Sequence, residues 1–425
     1  MRTARSAPLE TDKPGFGALF SVFGRIGLLS FGGPAAQIAL MHRELVDERP
    51  WMSEAQFLNA LSFCMLLPGP EAMQLATYSG WRMRGVRGGL LAGLLFVLPG
   101  ALIVLALSGF YAGYGRVPLV EALFLGIKAA VVIVVIEALL RLSRKALKTP
   151  DRWVIAGLSF VAIFFLALPF PAIILGAAIY GYFSAKGTPS DAPETVRARP
   201  FLTVAIWGLL WAAPLLILWI SGENQLLEIG LFFSRLAVVT FGGAYAVLAY
   251  MVQEVVTGYG WMTTPEMMDG LGLAETTPGP LILVTEFVGF LAGYHSGGIW
   301  MALAAATLTL WVTFVPCFLW IFLGAPYVEW IATRPRLKGA LSAITAAVVG
   351  VVLNLSFWFA IHVFFKSAHQ VEAGPLNLVL PDVFSLDLRV LALSLVAALM
   401  ILYRRMPLPL VLLVMAIFGT GLALI

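Results

Sequence analysis

From Phe16 onward the chain is a succession of apolar runs of about 20 residues, such as Val120 to Leu140 and Phe201 to Ser221, joined by short polar segments. That length is what a helix needs to cross roughly 30 Å of hydrocarbon. The pattern predicts an all-α, polytopic membrane protein. The stretch from Met1 to Gly15 is polar, holds Arg2, Arg5, Glu10, Asp12 and Lys13, and lacks the apolar core of a cleaved signal. The first apolar run is therefore expected to stay in the mature chain.

The apolar runs repeat. Phe23-Gly24-Arg25-Ile26-Gly27-Leu28-Leu29-Ser30-Phe31-Gly32-Gly33 matches Phe233-Ser234-Arg235-Leu236-Ala237-Val238-Val239-Thr240-Phe241-Gly242-Gly243 at an offset of 210 residues. The same offset sets Glu44 on Glu254, Trp51-Met52 on Trp261-Met262, and Pro68-Gly69-Pro70 on Pro278-Gly279-Pro280. Further on the register drifts, so that Gly126 to Val132 resembles Ala343 to Val349. A fixed period of this kind signals duplicated architecture. Four parts are expected: a tail at 1–15, a first repeat at 16–183, a polar loop and linker span at 184–225, and a second repeat at 226–425.

Lys and Arg concentrate on the cytoplasmic side of membrane proteins. Clusters stand at Arg2/Arg5/Lys13, Arg82/Arg84/Arg87, Arg141/Arg144/Lys145/Lys148/Arg152, Arg334/Arg336/Lys338 and Arg404/Arg405. All fall on one side if Gln56 to Trp81 crosses as a helix broken at Pro68-Gly69-Pro70 and Trp153 to Phe183 is a short hairpin. That layout has about six crossings per half and one linker span, roughly thirteen in all. The odd linker inverts the second repeat, and the N-terminus is cytoplasmic. In the rival layout the Pro-Gly-Pro segments turn back within the membrane; as drawn from sequence, it strands Arg334, Arg336 and Lys338 outside and makes the repeats parallel.

Inverted repeats with helices broken near mid-membrane are the architecture of secondary transporters. In Ser30-Phe31-Gly32-Gly33-Pro34 the glycines permit unusual backbone angles, and Pro34 suits the first position of a new helix. Pro70 and Pro280 repeat the device. Each restart exposes unpaired N–H groups and a positive dipole end, which attract an anion. The alternative is that these prolines kink helices for packing alone. The candidate substrate site is accordingly Gly32, Gly33, Pro34, Gly69, Pro70, Gln74, Thr77, Lys128, Gly242, Gly243, Gly279 and Pro280, with Gln74, Thr77 and Tyr78 as neutral donors.

Charge inside a span costs about 2.5 to 3.5 kcal/mol and points to function. Lys128 lies in the middle of its span, open either to an anion or to pairing with Glu121 or Glu137. Arg25 and Arg235 are repeat mates that face a substrate path or snorkel to headgroups. Glu71, Glu275 and Glu286 flank the Pro-Gly-Pro motifs as candidates for proton coupling or for neutralising an arginine. The four histidines fall near expected span ends.

Composition supports this class. The 425 residues are 60% hydrophobic and 12% charged, about half the charge of a soluble domain. The net charge of +4 reads as basic loops, with no nucleic-acid surface implied. Cys64 and Cys317 match no metal or redox spacing and read as packing residues. No Walker loop, HExxH or dinucleotide fingerprint occurs, so no enzyme, cofactor or metal is expected. A passive channel would call for charged rings along a pore, which the sequence hardly offers.

Phe31-Gly32-Gly33-Pro34, Trp51-Met52, Leu67-Pro68-Gly69-Pro70, Gln74-Leu75-Ala76 and Gly80, then Thr240 to Leu248, Gly260-Trp261 and Thr276-Thr277-Pro278-Gly279-Pro280-Leu281 together resemble the long, two-domain chromate ion transporter family. The resemblance runs from about Phe16 to Phe365. It implies export of chromate across a bacterial inner membrane, with sulfate, another tetrahedral dianion, as competitor or alternative substrate. A homodimer is the default assembly. Glu286 departs from the family pattern, which more often has a neutral amide there.

Overall fold

The structure is a computed structural model that describes residues 14–115, 117–187, 200–241, 244–328, 334–373 and 376–423. The expected site residues Gly242 and Gly243 lie outside the described residues, as do Arg2, Arg5 and Lys13 of the first basic cluster. Among the described residues the fold is helical apart from one hairpin, β1 (Ala368–Ala373) with β2 (Leu376–Pro381).

The first half contains α1 (Phe16–Leu29), α2 (Gly33–His42), α3 (Glu54–Cys64), α4 (Glu71–Tyr114), α5 (Pro118–Ala146), α6 (Pro150–Phe164) and α7 (Phe170–Ser184). After α8 (Pro200–Ser221), the second half contains α9 (Asn224–Val239), α10 (Ala244–Val252), α11 (Thr264–Thr276), α12 (Val284–Gly324), α13 (Pro335–Phe364), α14 (Leu388–Ala398) and α15 (Leu408–Ala423). Matching devices start matching helices. Ser53 and Gln56 form a capping box on α3, and Thr263 and Glu266, at the repeat offset, form one on α11. Each satisfies amides that a helix start would leave unpaired.

A straight helix of α4's 44 residues would be about 65 Å long, twice the hydrocarbon thickness. It does not run straight. Arg84 and Gly85 take non-helical angles, and Gly80 packs on Gly88 and Ala92 while Thr77 meets Gly93. The two limbs thus lie side by side. In α12, Gly297 and Gly298 turn the chain in the same way, and Gly289 and Gly293 receive Thr309 and Ala305. Glycines let the limbs approach to backbone contact.

This geometry corrects the expected crossing of Gln56 to Trp81. The ring of Phe63 in α3 lies 6.3 Å from that of Tyr78 in α4's first limb. His295, at the far end of α12's first limb, hydrogen-bonds the Trp261 carbonyl at 3.1 Å just ahead of α11, and Gly270 within α11 packs on Phe287. Each Pro-Gly-Pro is therefore the tip of a helical hairpin whose ends return to the same level. The Gly-Gly breaks also turn back. Phe232 of α9 packs against Tyr250, Tyr259 and Trp261, which requires α10 to retrace α9. Arg25 of α1 reaches Glu44 at 3.5 Å beyond α2. Sequence patterning missed this because a half-helix hairpin and a broken crossing share one hydrophobic profile.

The second limb of α4, α5, α8, the second limb of α12 and α13 remain as the long apolar elements, and among the described residues five helices are long and apolar enough to cross a membrane. No residue of α8 is fully buried: Trp207, Trp211 and Leu215 pack against the core, while Phe201, Trp219 and Ile220 lie exposed. The two halves exchange their last hairpins. Gly181 of α7 and Ala156 of α6 pack on Gly339 and Gly350 of α13, while Gly126 of α5 packs on Met415 of α15 and Ala129 accepts a hydrogen bond from Ser394 of α14 at 3.0 Å. The pairing buries one continuous core across both halves.

Candidate functional site

Helix breaks of the two halves meet across their interface. The Gly69 N–H donates to the Thr240 carbonyl at 2.8 Å, and the Gly279 N–H donates to the Ser30 carbonyl at 2.9 Å. The repeat offset carries Ser30 onto Thr240 and Gly69 onto Gly279, so the two bonds are a reciprocal pair. Ser30 and Thr240 end α1 and α9, where helix carbonyls lack partners of their own. Their hydroxyls turn back onto the Ile26 and Leu236 carbonyls. Each orphan carbonyl is thus capped by the hairpin tip of the opposite half.

Both tips need glycine. Gly69 has φ +121° and Gly279 φ +93°, regions that side chains rarely adopt. The space left by Gly69 is taken by Gln74 and by Cys317 from α12, and Gly100 of α4 lies against the Pro278 carbonyl. The second limb of each half therefore passes over the other half's tip, and Pro99 and Pro316 stand in those limbs one residue before the contact.

Two glutamines sit at these junctions. Gln37 donates to the Gly279 carbonyl at 2.7 Å and to the Ser30 carbonyl at 3.3 Å; Gln74 donates to the Pro68 carbonyl at 2.7 Å. Both are buried, and the Oε1 atom of each has no hydrogen-bond partner. Glu286, in the first turn of α12, is wholly buried with both carboxyl oxygens unpartnered. Buried polar atoms without partners are rare and call for an explanation, such as a ligand, water or proton.

The remaining sequence candidates divide. Gly32 (φ +85°) and Gly33 (φ +76°) form the turn into α2, with Pro34 in its first turn. Pro70 is the N-cap of α4, whose start no side chain caps, and Glu71 is its first residue, half-buried. Thr77 is buried against Gly93 and bonds the Met73 carbonyl at 3.0 Å. Pro280 precedes a single tight turn, Leu281–Leu283, that leads into α12. The Gly69 and Gly279 amides, expected to face an anion, are here engaged by the opposite half.

Lys128 pairs with neither Glu121 nor Glu137. Its ammonium lies 2.9 Å from Asp269, which also accepts from the Tyr111 hydroxyl at 2.7 Å. This pair lines a cavity of about 660 Å³ with Glu121, Glu266, Tyr294 and His295, below the turn between α4 and α5. Arg25 is half-exposed and tied to the buried Glu44, which Arg49 also contacts; Arg235 is exposed. Glu275 accepts from the Tyr245 hydroxyl at 2.8 Å. Cys64 and Cys317 are buried free thiols, as packing residues should be. Gln37, Asp269, Thr309 and Thr313 were missed. Gln37 carried one usable signal, a polar residue in the second turn after a helix restart where the other half has Val247.

The family model described as "Chromate transporter" matches residues 17–182 and again 227–420. A "Chromate transport protein" of Pseudomonas aeruginosa is 34% identical over 343 residues, covering 79% of this chain and 78% of the relative. A "Probable chromate transport protein" of Synechococcus elongatus is 32% identical over 336 residues, 79% and 82% of the two chains. The "Uncharacterized transporter YwrA" of Bacillus subtilis is 30% identical over 166 residues, 38% of this chain but 93% of the relative, so it spans about one half. No solved structure matches. A family match over both halves and close to the full apolar length identifies this multi-pass membrane protein as a member of the chromate transporter family.

Proposed function

We propose that the chain is a secondary carrier for chromate or a similar tetrahedral dianion, such as sulfate, exporting it across the bacterial inner membrane. The two repeats, 16–183 and 226–425, are inverted. In support, the hairpin tips of the first half are reached from the level of Arg84, which bonds the Pro14 carbonyl at 2.7 Å, whereas those of the second half are reached from the level of His295. The second limb of α4 runs from the first level to the second, with Tyr111 near its end against Asp269 and Phe287. In this layout Arg82/Arg84/Arg87, Arg141 to Arg152 and Arg334/Arg336/Lys338 share one side, which the charge rule makes cytoplasmic, with the N-terminus. Arg334, Arg336 and Lys338 are no longer stranded, because α1 and α2 form a hairpin as well.

The observation that carries the proposal is the reciprocal pair of hydrogen bonds, Gly69 to Thr240 and Gly279 to Ser30. Breaking one set of bonds while keeping the other opens a path to one side only, which is what alternating access demands. Once released, the tip amides join the uncapped starts of α2 and α4 as donors for a dianion. Gln74, Thr77 and Lys128 stand on the flanking helices.

The test is flux of radiolabelled chromate and sulfate into proteoliposomes under imposed pH or sulfate gradients. Saturable uptake that is accelerated by oxyanion on the opposite side is expected. A conductance that neither saturates nor shows counterflow would overturn the carrier reading.

A further inference from the structure

We propose that Glu286 is the proton-binding group that couples this carrier to the proton gradient, held as the neutral acid in the closed arrangement described above. The inference rests on the carrier reading but not on the direction of flux.

The carboxylates near the breaks differ in their company. Glu44 has Arg25 and Arg49, Asp269 has Lys128 and Tyr111, and Glu275 has Tyr245. Glu286 is wholly buried, and among the described residues neither oxygen has a hydrogen-bond or ion-pair partner. An ionised carboxylate left this way pays a large desolvation cost with no return, and buried groups in that position neutralise instead. The elements packed on α12 supply no counter-charge. α8 is uncharged; Glu228 and Arg235 of α9 are exposed; Arg82, Arg84 and Arg87 of α4 are exposed at its turn; Glu71 is half-buried at its start; Glu266 of α11 bonds Thr263 and meets His295, at the far end of the limb; and Asp269 and Glu275 of α11 are bound as described.

The surroundings suit a proton. Gly289 meets Thr309 across the α12 hairpin and Gly293 meets Ala305, so Thr313 comes level with residues 285 and 286 one turn further toward the tip. The hydroxyls of Thr309 and Thr313 are also buried without partners. Three unpartnered polar side chains in one hairpin form a path that water can enter once the tip moves. Glu286 stands two turns past Gly279, whose bond to Ser30 closes the junction, so release of that bond is the event that exposes it. The acid then gives its proton to water and becomes carboxylate; on reclosure it takes one proton back. The aligned residue in the first half is Ala76, so the repeat supplies no second copy of this group.

The experiment records lumenal pH with a trapped dye in proteoliposomes while a chromate gradient is imposed, and chromate/chromate exchange in parallel. Wild type is expected to move protons with chromate. Glu286→Gln, which mimics the neutral acid, is expected to lose proton movement at least tenfold and keep exchange, and Glu275→Gln to keep both. Proton movement at the wild-type rate in E286Q would overturn the proposal, as would loss of exchange together with proton movement. Absence of chromate exchange in wild type would instead defeat the carrier reading itself. Should E286Q fail to reach the membrane, Glu286→Asp is read: a moved pH midpoint of flux supports the assignment, and an unmoved one refutes it.

Discussion

Replacing Gly69 by alanine tests whether the hairpin tips are held as the hydrogen bonds imply. At φ +121° a side chain adds strain of about 1 to 3 kcal/mol. The new Cβ would also lie 2.7 Å from Gln74 Nε2 and 2.8 Å from Cys317 Sγ, and such overpacking costs a further 1 to 3 kcal/mol or so. A total near 3 kcal/mol or more is expected, borne by the junction and not by the helices. Gly279→Ala shares the strain at φ +93°, but its nearest neighbour is the end of the Leu283 side chain at 3.0 Å. It should cost less, about 1 to 3 kcal/mol. Gly24→Ala is the control, since nothing lies within 4 Å of its Cβ inside α1 and alanine favours a helix. Heating detergent-solubilised protein and measuring the surviving monodisperse fraction should rank Gly24→Ala at or above wild type, then Gly279→Ala, then Gly69→Ala. A Gly69→Ala protein as heat-resistant as Gly24→Ala would refute the argument that the tip is backbone-constrained.

Gly32→Val, at φ +85°, and Pro70→Leu should abolish chromate resistance in cells while the protein still reaches the membrane; unchanged resistance in both would remove the breaks from the site. Lys128→Ala strands the nearly buried Asp269, with an expected loss of about 3 kcal/mol, and Lys128→Met with Asp269→Asn should recover most of it in the same heating assay. If the double variant is as poor as the single, the pair is not the reason. For topology, Arg84→Cys and Ser296→Cys, each in a background with Cys64 and Cys317 replaced by serine, should react with an impermeant maleimide from opposite sides, Ser296→Cys on intact cells. Labelling from the same side would contradict inverted halves.

Much of this architecture could be seen in the sequence because it depends on local chemistry. The duplicated Gly-Gly and Pro-Gly-Pro motifs marked every break, and the capping boxes at Ser53 and Thr263 lie where the offset puts them. Whether a break continues or reverses a helix could not be seen, because that is decided by contacts such as Phe63 with Tyr78 and Phe232 with Tyr250, which join residues 15 to 18 positions apart through a turn of neutral composition. Lys128 shows the same limit. Its span was evident, but its partner, Asp269, comes from the other half and has no local signature.

Comparison of the two halves separates scaffold from chemistry. Positions that build the junction keep their character across the offset: Ser30 with Thr240 and Gly69 with Gly279. A reciprocal contact fails if either side of it changes, so both copies are held. The polar groups left unpartnered at the interface break the symmetry: Gln37 faces Val247 in the alignment, Gln74 faces Val284, and Glu286 faces Ala76. Packing alone cannot explain the polar member of each pair, because the other half fills the equivalent place with an apolar side chain and still folds in the same way. Burying an amide or an acid there costs free energy that valine or alanine would avoid. Such a cost is retained where the group meets something besides protein, and for a carrier that is the oxyanion and the ion that drives it.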